Sequence, residues 1–266
     1  SYGATADLCY LLDIAFQDHS INYVFYNLDP SALCADPVTT FESTGCPMYL
    51  YDDNHLNDIE YLLNKDVLFE KIPYMIAQSL TGDYDEGNSY NWAQWKSFNE
   101  DMILGLYIRK MNIEDMKPET CYQDKLDGNL ALLCAEIEAH PETQFKISIP
   151  PYSMLWWDNI YRNGETESYL YNMEQAMEKL LTYENVELYY FLNDREIVTD
   201  LDNYMDLLHF SPEINQYICD SMIRNDHKVT EANCHEIIED SRSLAYQTVN
   251  ELIKPYEDRI KVDIYD

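Results

Sequence analysis

Phe145-Lys146-Ile147-Ser148-Ile149-Pro150-Pro151 is the stretch that decides the fold. Apolar residues alternate over five positions, which is strand period, and two prolines then end the run because neither can donate a ladder hydrogen bond. Downstream, Ser168 to Leu181 has the period of an amphipathic helix, and Val186 to Leu192 (VELYYFL) is a second run of strand length. Strand, helix and strand in that order predict parallel strands joined by a crossover helix. Upstream, Thr5 to Asp18 reads as a helix with Leu8, Leu11, Leu12, Ala15 and Phe16 on one side. Ile21 to Leu28 (INYVFYNL) follows as a strand that ends at Asp29-Pro30. The expected class is α/β, with a parallel sheet in three layers.

Between these parts the pattern changes. Residues 33–140 are acidic, tyrosine-rich and helical in period, with helices predicted over Leu56 to Leu63, Asp66 to Ser79 and Asp127 to Ala139. We read this segment as a mainly helical insertion carried on one α/β domain that spans 1–266. After the third strand, Ser211-Pro212-Glu213 opens a helix that runs to about Arg224. Serine suits the cap, proline the first helical position and glutamate the positive end of the dipole. Thr230 is read as the cap of a last helix ending near Ile253, before Pro255.

The chain carries 49 acidic and 17 basic residues, a formal net charge of -32. Such a surface repels nucleic acid and anionic membranes, which excludes nucleic acid as a partner. With 24 tyrosines, 8 phenylalanines and 46% hydrophobic residues, the chain has the material for a large packed core rather than a solvated tail. No apolar run approaches a membrane span, and no signal-peptide pattern opens the chain. Seven cysteines stand at 9, 34, 46, 121, 134, 219 and 234, without a close C-x-x-C pair. Cys9 and Cys134 fall on apolar helix faces and read as buried thiols. Cys34 and Cys46 flank a loop, where they either pair or stay reduced.

Ligands of open parallel sheets bind beyond the carboxyl ends of the strands. Three such ends are marked here: Asn27 to Pro30, Pro150 to Ser153, and the loop from Asn193 onward. The last carries Asp206-Leu207-Leu208-His209, directly before the helix start at Ser211. An acid three residues before a histidine is common by chance. Its place at a strand-end loop makes Asp206 and His209 the leading catalytic candidates. Trp156-Trp157 follows another strand end, so Trp156 is a candidate for stacking on a sugar ring.

An Asp-x-x-His ahead of the final helices of an α/β chain resembles the last block of the SGNH/GDSL hydrolase superfamily. The phrase DLLHFSPEIN is similar to that of SGNH-like proteins of bacterial surfaces, among them the D-alanyl-lipoteichoic acid biosynthesis and polysaccharide O-acetyl-modifying proteins. The resemblance covers roughly 1–32 and 145–225. It implies an ester hydrolase or acyltransferase acting on a cell-surface polysaccharide or teichoic-acid-like substrate, in which His209 is the base and Asp206 orients it. It aligns Ser1-Tyr2-Gly3-Ala4-Thr5 with the family's glycine block, which makes Gly3 an oxyanion donor, and Asn27 with the third block, more loosely. It also implies an extracytoplasmic or membrane-anchored location. The family's Gly-x-Ser nucleophile block comes before the glycine block, and here the chain begins at the glycine block. Either the chain is a fragment lacking its first strand and serine, which leaves an open sheet edge beside Ile21 to Leu28, or it is a version without the nucleophile. In both cases no serine-ester turnover by this chain alone is expected. Gly87-Asn88-Ser89 has the spacing but does not follow a strand.

The remaining constellations are weaker. Asp83, Asp85 and Glu86 beside Gly87 lack the further ligands of a calcium loop and read as an exposed acidic turn. His227, Cys234 and His235 do not share a face suited to zinc. No metal and no cofactor is expected. The alternative to an enzyme is a non-catalytic domain of the same fold that binds a glycan or a protein. A stand-alone acidic protein without related chemistry is the third reading.

Overall fold

The computed structural model describes residues 4–40, 48–51, 54–82 and 96–263. Its contacts divide the chain into two compact units, one of 1–39 with 97–266 and one of 40–96. The smaller unit is helical: α3 (Ile59–Leu62), a π-helical turn (Val67–Lys71) and α4 (Ile72–Thr81). None of these helices buries a residue, and Phe69 and Leu80 are among their exposed apolar side chains.

The larger unit begins with α1 (Thr5–Asp18), β1 (Tyr23–Asn27) and α2 (Pro30–Leu33). It resumes with α5 (Glu100–Leu106), β2 (Ile108–Lys110), α6 (Gln123–Ala139), β3 (Gln144–Ile149), α7 (Met154–Arg162), α8 (Thr166–Leu180) and β4 (Val186–Tyr190). It closes with α9 (Arg195–Val198), α10 (Pro212–Arg224), α11 (Cys234–Gln247) and β5 (Lys261–Asp263). No described helix is long and apolar enough to cross a membrane.

The class is α/β, and the strands are parallel. The main sheet has the order β1-β3-β4, with Tyr26 opposite Ile147 and Ile147 opposite Leu188. A second sheet pairs β2 with β5, also in parallel. Three-residue strands are too short to carry a readable period. Helix α6 lies in the larger unit, where Leu126, Leu130, Leu133 and Ile137 bury one side of it and it packs against α1, α2 and α8. The last helix also differs: it starts at Cys234 after Asn233, and Asn233 Oδ1 accepts the Thr230 N–H, so Thr230 is not the cap.

The three-layer expectation is met only in part. Val24, Tyr26, Phe145, Ile147 and Leu188 make one fully buried face. On the other face Tyr23 and Phe25 are 60% and 69% exposed, and β3 alternates between half-buried and buried positions. Parallel strands covered on both sides read as continuous burial, and β1 and β3 do not. Over β4 the second face does close, where the buried Tyr189 hydroxyl lies 3.3 Å from the Met222 carbonyl of α10.

Among the described residues, β1 is an outer strand of the main sheet. The Gln144 N–H bonds Asn22 O and the Leu28 N–H bonds Ser148 O, so the peptide groups of Tyr23, Phe25 and Asn27 point away from β3. An uncharged edge with exposed aromatics is a template for added strands. At high concentration the chain is expected to self-associate there, and Phe25→Lys should suppress it. Sedimentation velocity checks this, and association unchanged by the substitution would place the contact elsewhere.

On this second face, Lys146 and Lys228 both pair with Glu187. Hydrogen bonding from Lys146, reinforced by Lys228, pulls its carboxyl from 4.5 down to about 2. A depressed carboxylate adds stability above its ordinary value and loses it as pH falls through the folded value. Between pH 4.5 and about 2, Glu187→Gln should therefore flatten the acid-induced loss of stability, as followed by circular dichroism.

Candidate active site

Asp206 and His209 lie on the chain between β4 and α10, and local sequence shapes that segment. A 3₁₀ turn (Leu201–Asn203) is capped by Asp200, whose carboxylate accepts the Asp202 N–H. Tyr204 and Phe210 then form a bridge, the Met205 N–H bonds His209 O, and the Ser211 N–H bonds Asn203 O. The five residues between Tyr204 and Phe210 are thus held as a closed turn.

Inside the turn, Asp206 folds back on its own backbone. Its Oδ1 accepts the N–H groups of Leu208 and His209, both at 2.9 Å. The His209 ring closes the arrangement, with Nδ1 2.8 Å from Oδ2 and 3.0 Å from Oδ1. Partial burial would raise the Asp206 carboxyl. The backbone N–H groups of His209 and Leu208, together with the imidazole, hold it below the ordinary carboxylate range. A carboxylate placed at Nδ1 fixes the orientation of the ring relative to the turn.

Two buried side chains fasten the turn to the sheet. Ser153, fully buried at the start of α7, donates both its N–H and its hydroxyl to Leu207 O, each at 3.1 Å. The buried Tyr204 hydroxyl donates to Pro151 O at 2.8 Å. Both anchors belong to the segment that leaves the carboxyl end of β3. At the end of β1, the Asp29 carboxylate accepts the Ser31 N–H and receives a hydrogen bond from Tyr152. Burial raises that carboxyl despite these donors. The three strand-end segments therefore meet along one sheet edge. A cavity of about 120 Å³ adjoins the turn, lined by Leu106, Tyr107, Ile108, Asn159, Asp206 and Leu207.

The other sequence-predicted residues are placed differently. Gly3 lies outside the described residues, as do Asp83, Asp85 and Glu86 of the acidic turn and Gly87-Asn88-Ser89. Asn27 is exposed at the carboxyl end of the edge strand, opposite Ser148. Trp156 is 3% exposed, packed among Tyr152, Trp157 and Tyr169 with ring centroids 4.8–5.6 Å apart. A ring so enclosed offers no face to a sugar. The segment after Pro151 enters a helix at once, which turns both tryptophans into the core.

Cys9, Cys34 and Cys134 are buried free thiols, and burial pushes Cys9 and Cys34 up to about 12. Cys46 lies outside the described residues. His235 pairs with Glu174. His227 Nε2 lies 2.8 Å from the Tyr217 hydroxyl, which donates to Asp194. Among the described residues no group of three His, Cys, Asp or Glu side chains is placed to hold a metal ion.

Sequence reasoning missed Ser153, Tyr204 and Asn159. Ser153 had a signal, since a serine after two prolines and before an apolar run marks a helix start. Tyr204 and Asn159 had none, because their roles depend on residues about 50 positions away. No family model, no curated protein and no solved structure matches this chain.

Proposed function

We propose that the chain carries the acid–base half of an acyl-ester hydrolase or acyltransferase site of SGNH type, acting on acyl groups of a bacterial cell-surface glycan or polymer. The observation that carries this reading is the Asp206–His209 pair, hydrogen-bonded through Nδ1 in a turn anchored to the carboxyl edge of a parallel sheet. His209 takes a proton from the attacking hydroxyl through Nε2 and returns it to the leaving oxygen. Asp206 keeps the ring oriented and stabilises the imidazolium that forms between these steps. Gly3 and Asn27 are the proposed oxyanion donors to the reacting carbonyl.

The test is fluorophosphonate labelling of the polypeptide as the cell makes it, with His209→Ala compared under the same conditions. A labelled serine is expected, with labelling slowed roughly a hundredfold or more in the variant. Absence of labelling, or a rate indifferent to the substitution, removes the reading.

A further inference from the structure

The cavity beside Asp206 has a lining that sorts by chemistry. Leu106 and Ile108 form an apolar mouth, both more than half exposed, and Leu207 continues that surface inward. The Tyr107 hydroxyl is taken up by Asp158, 2.7 Å away. The Asp206 carboxylate is engaged by two N–H groups and the His209 ring. The Asn159 side-chain amide differs, since it has no hydrogen-bond partner among the described residues. Its neighbour Asp158 is wholly buried in an ion cluster. The cavity thus presents apolar walls and one uncommitted amide, a pairing typical of small-ligand sites.

Its size limits the occupant. A volume of 120 Å³ is roughly four water volumes, room for a few heavy atoms. A carboxylate ligand would be repelled by Asp206 and by the overall charge of -32. A neutral group with an apolar end and one hydrogen-bond acceptor satisfies both the walls and the amide.

We propose that this cavity binds a short acyl group of two to four carbons, as ester or amide, and that Asn159 is its specificity residue. The inference rests on the reading of Asp206 and His209 as the acid–base pair of an acyl site, and adds where the acyl group sits and how long it is. Asn159 Nδ2 donates to the acyl carbonyl, and Leu106, Ile108 and Leu207 cover the alkyl carbons. Longer chains run out past Leu106 and Ile108 into solvent.

Neutral amides test this on the 266-residue chain, followed by ¹H–¹⁵N and methyl NMR spectra. Butyramide is expected to shift the Asn159 side-chain amide and the Leu106 and Ile108 methyls, saturating in the millimolar range as befits about six heavy atoms. Affinity should rise about fourfold per methylene from acetamide to butyramide and level off at hexanamide. Asn159→Leu should weaken butyramide roughly two- to tenfold. Leu106→Trp, a substitution at an exposed position, should fill the cavity and abolish the shifts. Shifts absent with butyramide, retained in Leu106→Trp, or an affinity that keeps rising past hexanamide would overturn the proposal. Butyramide binding without serine labelling keeps the pocket and removes the acyl-transfer reading. Serine labelling without butyramide shifts keeps the acyl-transfer reading and removes the pocket.

Discussion

Asp158→Ala is expected to cost about 3–5 kcal/mol of folding stability, the range found when one partner of a buried ion pair is removed. Asp158 is fully buried on α7. Arg109 grips it with two hydrogen bonds, Nε to Oδ2 at 2.8 Å and Nη2 to Oδ1 at 2.9 Å. Arg162 adds a third at 3.2 Å and the Tyr107 hydroxyl a fourth at 2.7 Å. Removal of the carboxylate leaves two largely buried guanidinium groups with one anion fewer. Arg109 keeps Glu257, which is half exposed, and Arg162 keeps the Lys110 carbonyl. Neither replaces a buried counter-charge. Urea unfolding should show a lower midpoint at unchanged slope. A loss below about 1 kcal/mol would mean that water reaches the cluster and screens it. Because Arg109 lies on β2 and Asp158 on α7, the same cluster sets the distance between Ile108 and Asn159 across the proposed acyl pocket.

Gly164→Ala should be the next most damaging change, at about 2–4 kcal/mol. Gly164 follows α7 with φ +67°, a conformation in which a side chain is strained. An added Cβ would stand 2.2 Å from the Asp115 carbonyl oxygen, and that oxygen belongs to backbone and cannot swing aside. The nearby chain is tied down as well: the Lys117 N–H bonds Gly164 O and the Glu114 N–H bonds Arg162 O. Gly82 serves as the comparison. It has φ +78°, but a Cβ there meets nothing within 4 Å. Gly82→Ala should therefore cost only the left-handed penalty of about 1–2 kcal/mol. Thermal unfolding of the two variants separates conformational strain from steric clash.

Much of the candidate site was legible because it is local. Asp206 and His209 are three residues apart, and a carboxylate that accepts its own downstream N–H groups needs only those residues. Pro212 stands at the first helical position of α10 for a similarly local reason. The strands of the main sheet were legible too, since apolar runs bounded by Pro150-Pro151 and by Asp29-Pro30 end where the backbone must turn.

What failed to show in the sequence is what depends on distant partners. An aromatic pair after a strand looks the same whether it faces a ligand or the core, and only the rings of Tyr152 and Tyr169 decide that Trp156 is enclosed. The span of 33–140 looked uniform in composition, yet α6 belongs to the larger unit, where it packs on α1, α2 and α8. The second face of β1 and β3 alternates between buried and more exposed positions, and strand period does not report which helices cover a sheet face.

By itself, the sequence determined a parallel α/β chain, an acidic surface and an acid–histidine turn before a helix, since each follows from periodicity, composition or a few adjacent residues. Only the tertiary structure decided that Ser153 and Tyr204 anchor that turn to the end of β3, that β2 and α7 are clamped through Asp158, and that Leu106, Ile108 and Asn159 surround a cavity at Asp206. These relations join residues about 50 positions or more apart, and close packing of the folded chain is what brings them together.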